Sequence, residues 1–319
     1  MIYLLSTISH SYTHRTVASD VPGFRVLPYP VALARKKLER ATYIFTDYDR
    51  LSFWQLELAS HLYRQLKAAG CRVLNDPGRS LQRMSLLRRL SCEGVNSFKA
   101  WFAEDAGEVD RFPVFLRTQS AHRGVLSGLL ETPQALQTAL DTLLDEGYPL
   151  RDLMIVEYCA EPVRGDLFRK LSVYRIGEAL VAAPCVHERN WAAKYGEAGV
   201  GDQALYDEDF RIVRDNPYAA EVQRVFDLAR IEYGRIDFAI VKGRPEYYEI
   251  NTNPDVHPSF EHEFRVRVEA AKLSHERQIE AIGALDATPA GDPVAITPHP
   301  ATADHRRRWR MAPGYQWMP

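Results

Sequence analysis

Few features of this sequence settle its class at once, and several classes fall away because their marks are missing. The 319 residues contain four cysteines (Cys71, Cys92, Cys159 and Cys185), widely spaced and never in a CxxC pair. That spacing argues against both a disulfide framework and a thiolate zinc site. Neither sign of charge dominates: 40 basic and 42 acidic side chains leave a formal net charge of −2, so no global field draws nucleic acid. No apolar run approaches the roughly 20 residues that a membrane-spanning helix needs. The opening "MIYLLSTISHSYTHRT" has neither the basic segment nor the small-residue cleavage site of a secretory leader and reads as a first strand. Internal repeats are missing too. The expectation is a cytoplasmic, enzyme-sized protein with no membrane partner and no specific nucleic acid, for which a homo-oligomer stays open.

What is present is an ordinary globular composition, 46% hydrophobic and 26% charged, long enough for one large domain or two to three small ones. Residues 1–97 alternate strands and helices, which predicts a small α/β domain with a parallel sheet. Strands fall on "MIYLLST", "FRVLPYP", "ATYIFTDY" and "CRVLNDPG". Between them "SFWQLELASHLYRQLKAAG" is a helix, with Ser52 and Gln55 set as a capping box and Gly70 as the stop. Its apolar stripe is read as Phe53, Leu56, Ala59, Leu62, Tyr63 and Leu66. A second unit, residues 98–285, carries the strand "FPVFLRTQ" and a helix opened by Thr132-Pro133. The strands "LMIVEYCAE" and "RKLSVYRIGEALVAAPCV" follow, the latter turning at Gly177-Glu178. After the polar stretch "HERNWAAKYGEAGVGDQ" come a helix from Asn216-Pro217 to Gly234, a hairpin, and a charged helix from Phe264 to Ile282. Residues 286–319, rich in proline and alanine, read as a flexible or surface-draped tail whose "HRRRWR" is read as a solvated terminal segment, with contact to an anionic partner as the alternative.

The hairpin "RIDFAIVKGRPEYYEINTNP" ends unusually. Side chains alternate along a strand, so Tyr247, Glu249 and Asn251 share one face. With a loop of about five residues, Val241 lies opposite Tyr247 and Asp237 opposite Asn251. Asp237, Glu249 and Asn251 then form an oxygen cluster whose two carboxylates repel unless a cation intervenes. Magnesium suits such a set, completing its shell with water and phosphate oxygens. The competing reading is a hairpin end whose acids pair with Arg235 or Arg244.

In their order and spacing these segments resemble the ATP-grasp superfamily of carboxylate–amine ligases, which includes D-alanine–D-alanine ligase, glutathione synthetase and the ligase that adds glutamate to a ribosomal protein. The likeness spans roughly residues 75 to 260. It implies an α+β ATP-grasp fold: a small N-terminal parallel α/β domain, then two α+β subdomains clasping ATP. "RIDFAIV…YYEINTNP" is similar to the family's metal hairpin, which implies that Asp237, Glu249 and Asn251 hold two magnesium ions, with manganese able to substitute. "FPVFLRTQSAHRGV" is similar to the strand and loop over the phosphates. There Arg117 stands where the family carries Lys, and Gly124 lets the backbone approach. Arg83, in "NDPGRSLQRMSLLRRLSCEGV", occupies the place of a second ATP-contacting Lys. "MIVEYCAE" is similar to the adenine hinge, which implies roles for Glu157, Tyr158 and Cys159, with Glu161 on the ribose. In "FRKLSVYRIG" alternation turns Lys170 toward the cleft and Arg169 away. The resemblance also places Arg189, with Lys194 as the alternative, on the transferring phosphate.

The function implied is ATP- and magnesium-dependent activation of a carboxylate as an acyl phosphate, followed by its joining to an amine. Two other readings stand beside it: a phosphotransferase on the same fold, and a nucleotide-binding or scaffold protein that has lost its chemistry. Substrate carboxylate and amine, as small molecules or peptides, are expected between the N-terminal domain and the hairpin. Ser9, His10, His14 and Arg15 on one side, and Asp255, His257 and Ser259 on the other, are the loop residues in reach.

Overall fold

In the computed structural model, which describes residues 1–120, 124–256 and 259–300, the first strands build a parallel sheet. The elements are β1 (Ile2–Ser6), β2 (Phe24–Pro28), β3 (Lys37–Leu38), β4 (Thr42–Phe45) and β5 (Val73–Leu74), with sheet order β2-β1-β4-β5. Central β1 and β4 are buried along their whole length, as strands covered on both faces must be. Helices α1 (Arg15–Asp20), α2 (Tyr29–Ala34), α3 (Phe53–Ala68) and α4 (Arg83–Cys92) accompany the sheet. The capping box at Ser52 and Gln55 is formed, and Ala59, Leu62, Tyr63 and Leu66 of α3 pack on Tyr3, Leu5, Tyr43 and Phe45. Phe53 departs from the predicted stripe and is 79% exposed. It lies two and a half turns from Leu62, on the opposite side of the helix.

A second sheet, β6 (Ala100–Phe102), β7 (Val114–Thr118) and β8 (Leu153–Glu157) in the order β6-β8-β7, is antiparallel, with α5 (Pro133–Asp145) packed against it. The third contains β9 (Pro162–Arg164), β10 (Leu167–Ile176), β11 (Ala179–Glu188), β12 (Tyr233–Val241) and β13 (Arg244–Asn251), ordered β11-β10-β12-β13 with β9 on β10. Helices α6 (Gln203–Asp215), α7 (Ala219–Ala229) and α8 (Arg265–Gly283) flank it. One face buries Leu171, Val173, Ile236 and Phe238 against α7 and against Leu86 and Leu90 of α4. The other packs Tyr174, Ile176 and Tyr233 against Ile282 of α8 and against Ile2, Leu4 and Ile44 of the parallel sheet. The sheets are thus joined through shared apolar cores. Among the described residues no helix is long and apolar enough to cross a membrane.

Helix α6 has no counterpart in the sequence reading. Asp202 caps it by accepting from Leu205 N, but its buried stripe of Leu205, Tyr206, Asp209 and Val213 has an acid at its centre, which hides the periodicity. The tail also proves partly ordered: β14 (Val294–Ala295) pairs antiparallel with β3, and Val294 enters the core of the parallel unit. "HRRRWR" lies outside the described residues.

Two buried asparagines fasten the units. Asn75, in the left-handed region at φ 62°, donates through Nδ2 to Phe45 O (2.9 Å) and Tyr233 O (2.8 Å). Its Oδ1 accepts from Glu232 N (2.7 Å) and Tyr233 N (2.9 Å). Asn96 does the same for Tyr247, donating to its O (2.8 Å) and accepting from its N (3.0 Å). Removing such a side chain strands several buried backbone groups, each worth about 1–3 kcal/mol. Asn75→Ala should therefore destabilise the protein by about 3 kcal/mol or more. A fall in the urea unfolding midpoint at unchanged m-value checks this, and a loss below about 1 kcal/mol would contradict the fastening role.

Candidate active site

The hairpin turns at Lys242-Gly243, both at positive φ (51° and 76°), so the loop has two residues and Val241 pairs with Arg244. A β-bulge between Asp237 and Phe238 then resets the register. Asp237 faces Glu249, and Asn251 faces Arg235, whereas the sequence placed Asp237 opposite Asn251 across a longer loop. Tyr247 changes face as well. It pairs with Phe238, ring centroids 5.4 Å apart, in the α7 core. The bulge offsets the shorter loop, so Asp237, Glu249 and Asn251 still share one face.

Asp237 is 2% exposed and needs compensation. Ser172 Oγ donates to it at 2.8 Å, Arg235 Nε at 2.9 Å, and Lys170 Nζ stands 3.4 Å away. Burial acts to raise its pKa, but Arg235 and Lys170 outweigh burial and hold it below the ordinary aspartate value. Lys170 and Ser172 therefore share the cleft face, while Arg169 turns to Glu208 (2.7 Å) and Asp209 (3.5 Å) of α6. Arg244 pairs with Glu246 at 3.3 Å instead. Gly234 lets β13 come close, since a Cβ there would stand 2.9 Å from Asn251 O.

Glu249 is gripped from two other elements. Arg83 Nη2 at the start of α4 donates to its Oε2 at 2.7 Å, and Arg117 Nη2 of β7 at 2.6 Å. Arg83 Nη1 also donates to Thr118 O (2.8 Å) and Gln119 O (3.1 Å), joining α4 to the end of β7. Burial lowers the pKa of Arg83, and Glu249 partly offsets it. With Arg83 6%, Arg117 11% and Glu249 17% exposed, truncating a partner belongs to the regime of about 3–5 kcal/mol. Surface pairs of the Arg189–Glu197 kind contribute about 0–1 kcal/mol. Arg83 and Arg117 thus hold Glu249, Arg235 and Lys170 hold Asp237, and Asp49 adds negative charge near Arg83. The donor set of two facing carboxylates and a carboxamide suits magnesium, but its oxygens are committed: Glu249 and Asp237 to cations, and Asn251 Oδ1 to Asn253 N at 2.9 Å. No group of three or more His, Cys, Asp or Glu side chains suited to a metal occurs among the described residues.

At the end of β8, Glu157 accepts from Lys99 N (2.9 Å) and pairs with Arg111 (2.8 Å), Tyr158 N donates to Pro113 O (2.9 Å), and Cys159 O accepts from Tyr248 Oη (2.7 Å). Glu161 is exposed and accepts from Lys242 N at the hairpin turn. Trp191 packs between Phe115 (4.8 Å) and Tyr158 (5.6 Å) on the apolar cluster behind this segment. Gly124 at φ 95° passes Lys194, whose Nζ would stand 3.7 Å from a Cβ there. The Lys194 loop is shaped by Glu188, which accepts from the N–H groups of Lys194 (2.8 Å), Tyr195 (2.6 Å) and Gly196 (2.8 Å). Arg189 lies at the surface, paired with Glu197 (2.6 Å) and Asp166 (3.7 Å). A cavity of about 750 Å³ borders Lys170, Arg235 and Lys194 and runs along β11 to α8.

No family model matches the chain, and no curated protein does. Solved structures do. D-alanine–D-alanine ligase from Bacillus anthracis, complexed with ATP, is 13% identical, with 88% of this chain and 95% of that chain covered at a TM-score of 0.50. A RimK domain ATP-grasp protein from Sphaerobacter thermophilus is 16% identical over 90% of this chain and 100% of that chain, also at 0.50. Carboxyaminoimidazole ribonucleotide synthase from Aspergillus clavatus, complexed with ATP, is 14% identical over 92% and 80%, at 0.51. The fold is the ATP-grasp fold.

Within the ATP-grasp frame, the loop residues suggested for substrate separate. His14 is fully buried, bonded through Nε2 to Tyr233 Oη at 2.7 Å, and burial pushes its pKa down to about 3, so it is a core histidine. His10 is partly exposed, with Nδ1 3.1 Å from Thr7 Oγ1 and 2.9 Å from Ser9 Oγ. Arg15 is exposed; Asp255 and Ser259 border the cavity; His257 lies outside the described residues. Residues with no part in the sequence reading are Glu188, Ser172 as a partner of Asp237, and Asn253. Asn253 accepts from Thr13 Oγ1 (3.1 Å) and ties the hairpin end to the first loop. Their signal is tertiary, arising only when strands distant in sequence meet.

The lowered Asp237 pKa fixes a sign. A depressed carboxyl contributes stability that is fully present above the ordinary value of 3.8 and is lost as pH falls through the folded value. Urea midpoints should fall on acidification below about pH 4, and Asp237→Asn should make that fall shallower. An unchanged acid slope in the variant would count against the assignment.

Proposed function

We propose that this ATP-grasp protein is an ATP- and magnesium-dependent ligase that activates a carboxylate as an acyl phosphate and joins it to an amine. The observation that carries the reading is the arrangement between β7, α4 and the hairpin: Arg83 and Arg117 held on Glu249, and Arg235 and Lys170 held on the facing Asp237. Cations gathered between sheets on carboxylates that can give way suit a polyanion, and the triphosphate of ATP is one.

Arg83 and Arg117 would exchange Glu249 for phosphate oxygens, each offering paired N–H donors where a lysine would present a point charge. Glu249, released, would join Asp237 and Asn251 in holding magnesium. Bound there, the ion neutralises charge on the phosphates being transferred. Lys170 would move from Asp237 to the phosphates. Lys194 is the better placed of the two candidates for the transferring group, because it borders the same cavity as Lys170 and Arg235, whereas Arg189 is bound in a surface pair. Gly124 would let the loop backbone close over the phosphates. The Glu157 carboxylate is committed to Lys99 and Arg111, and Tyr158 N and Cys159 O to Pro113 O and Tyr248 Oη, so adenine would be met by Tyr158 O and Cys159 N and by the apolar cluster at Phe115 and Trp191. Glu161 remains the candidate for the ribose.

A nucleotide-binding protein without turnover is the second reading, favoured by the two-sided hold on Glu249. Calorimetry with ATP and magnesium, together with ADP release across pools of carboxylates and amines, separates the two. Under the ligase reading ATP·Mg binds and raises the melting temperature, and ADP forms only when carboxylate and amine are both present. Arg83→Met and Arg117→Met should each weaken ATP by about tenfold or more. Glu249→Gln should cut ADP formation about a hundredfold. ATP·Mg that neither binds nor stabilises the protein would overturn both readings, and tight binding without ADP under every pool would leave the second.

A further inference from the structure

The loop between β11 and α6 is exposed at its tip, yet a carboxylate fixes its shape. Glu188, the last residue of β11, turns one oxygen, Oε1, onto three successive backbone donors: the N–H groups of Lys194 (2.8 Å), Tyr195 (2.6 Å) and Gly196 (2.8 Å). Consecutive N–H groups converging on one point are how backbone binds an anion, and here the chain supplies the anion itself. Gly196, at φ 92°, takes the left-handed conformation that such a turn uses. Burial works to raise the Glu188 pKa, but the three N–H groups and the charge of Lys170 outweigh it and hold the carboxyl below its ordinary value. The turn is closed again at Glu197, whose N donates to His187 O (2.8 Å) and whose carboxylate accepts from Arg189 N (3.0 Å). Lys194, Tyr195 and Gly196 are all exposed, so water could satisfy these donors without help. What the carboxylate adds is one fixed geometry, against the entropic cost of ordering exposed residues.

That geometry sets where two side chains go. Trp191, early in the turn, is packed on Phe115 of β7 and Tyr158 at the end of β8. Lys194, further along, reaches the loop after β7 beside Gly124 and lines the cavity together with Lys170. We infer that Glu188 is a positioning residue that holds the Lys194 ammonium for the terminal phosphate of the nucleotide, and so sets the discrimination of a nucleoside triphosphate from a diphosphate. The inference rests on the nucleotide site proposed above. Lysine is a point charge on a flexible stem, so what it contributes depends on where its backbone is held. Ordering the turn before the nucleotide arrives removes that cost from binding. Trp191 has apolar packing of its own, and the arginines on Glu249 stand on other elements, so loss of Glu188 loosens the Lys194 end alone. The base and the first two phosphates keep their contacts, and the third loses one.

The test is calorimetric titration of the full chain with ATP·Mg and with ADP·Mg. Glu188→Ala should weaken ATP about tenfold and ADP by less than about twofold, the retained ADP binding also reporting that the variant is folded. Glu188→Gln keeps an acceptor oxygen for the three N–H groups and should restore most of the ATP affinity. In a Lys194→Met background, where the ammonium is already gone, Glu188→Ala should leave the ratio of the two affinities unchanged. An ATP affinity that Glu188→Ala does not change, equal losses for ATP and ADP, no rescue by glutamine, or a full effect in the Lys194→Met background each overturns the positioning role and leaves the nucleotide site standing. Wild-type protein that binds neither nucleotide overturns that site, and the positioning role with it.

Discussion

The carboxylate of Glu249 holds three parts of this protein to one point. A half-buried carboxylate between sheets is tolerable only if opposite charge is brought to it, and here the charge comes from the start of α4 and from the middle of β7. Arg83 extends the link by capping the carbonyls at the end of β7. The hairpin, the helix leaving the parallel unit and the small antiparallel sheet therefore share one electrostatic junction. Asp237 repeats the logic a strand away with Arg235, Lys170 and Ser172. The two junctions thus form one network of opposed charges across the hairpin, each carboxylate held by two cations.

Much of this was legible in the sequence wherever the signal was local. The parallel unit followed from βα alternation, α3 from its capping box, and the β10–β11 turn from Gly177-Glu178. Lys170 was separable from Arg169 by alternation alone, because the sheet has one polar and one apolar face at that point. The hairpin's oxygen cluster was legible in membership but not in register. A two-residue turn and a bulge are each one-residue decisions, and their errors cancelled for Glu249 and Asn251 while exposing the mistake at Tyr247.

What stayed hidden depended on partners far away in the chain. The helix α6 was masked because Asp209, an acid that burial pushes up to about 6, sits where its apolar stripe should continue. Its reason is tertiary: Arg169 and His187 meet it across the sheet edge. His14 looked like a loop residue because nothing nearby announces that Tyr233 will cover it. Asn75 and Asn96 drew no reading from the sequence, and their work is to supply backbone-like donors and acceptors to strands more than a hundred positions downstream.

The strand β14 carries a consequence for how the chain assembles. Val294 fills part of the same core as Tyr3, Leu38 and Phe45, although the sheet around that core is made entirely from the first quarter of the sequence. During synthesis the parallel unit can pair its strands early, yet its packing stays incomplete until a segment made after all three sheets has emerged and docked on β3. The boundary between the units is therefore not a boundary in folding time. The unit that begins first closes last, and its closure adds one more long-range contact to a fold already joined across the length of the chain.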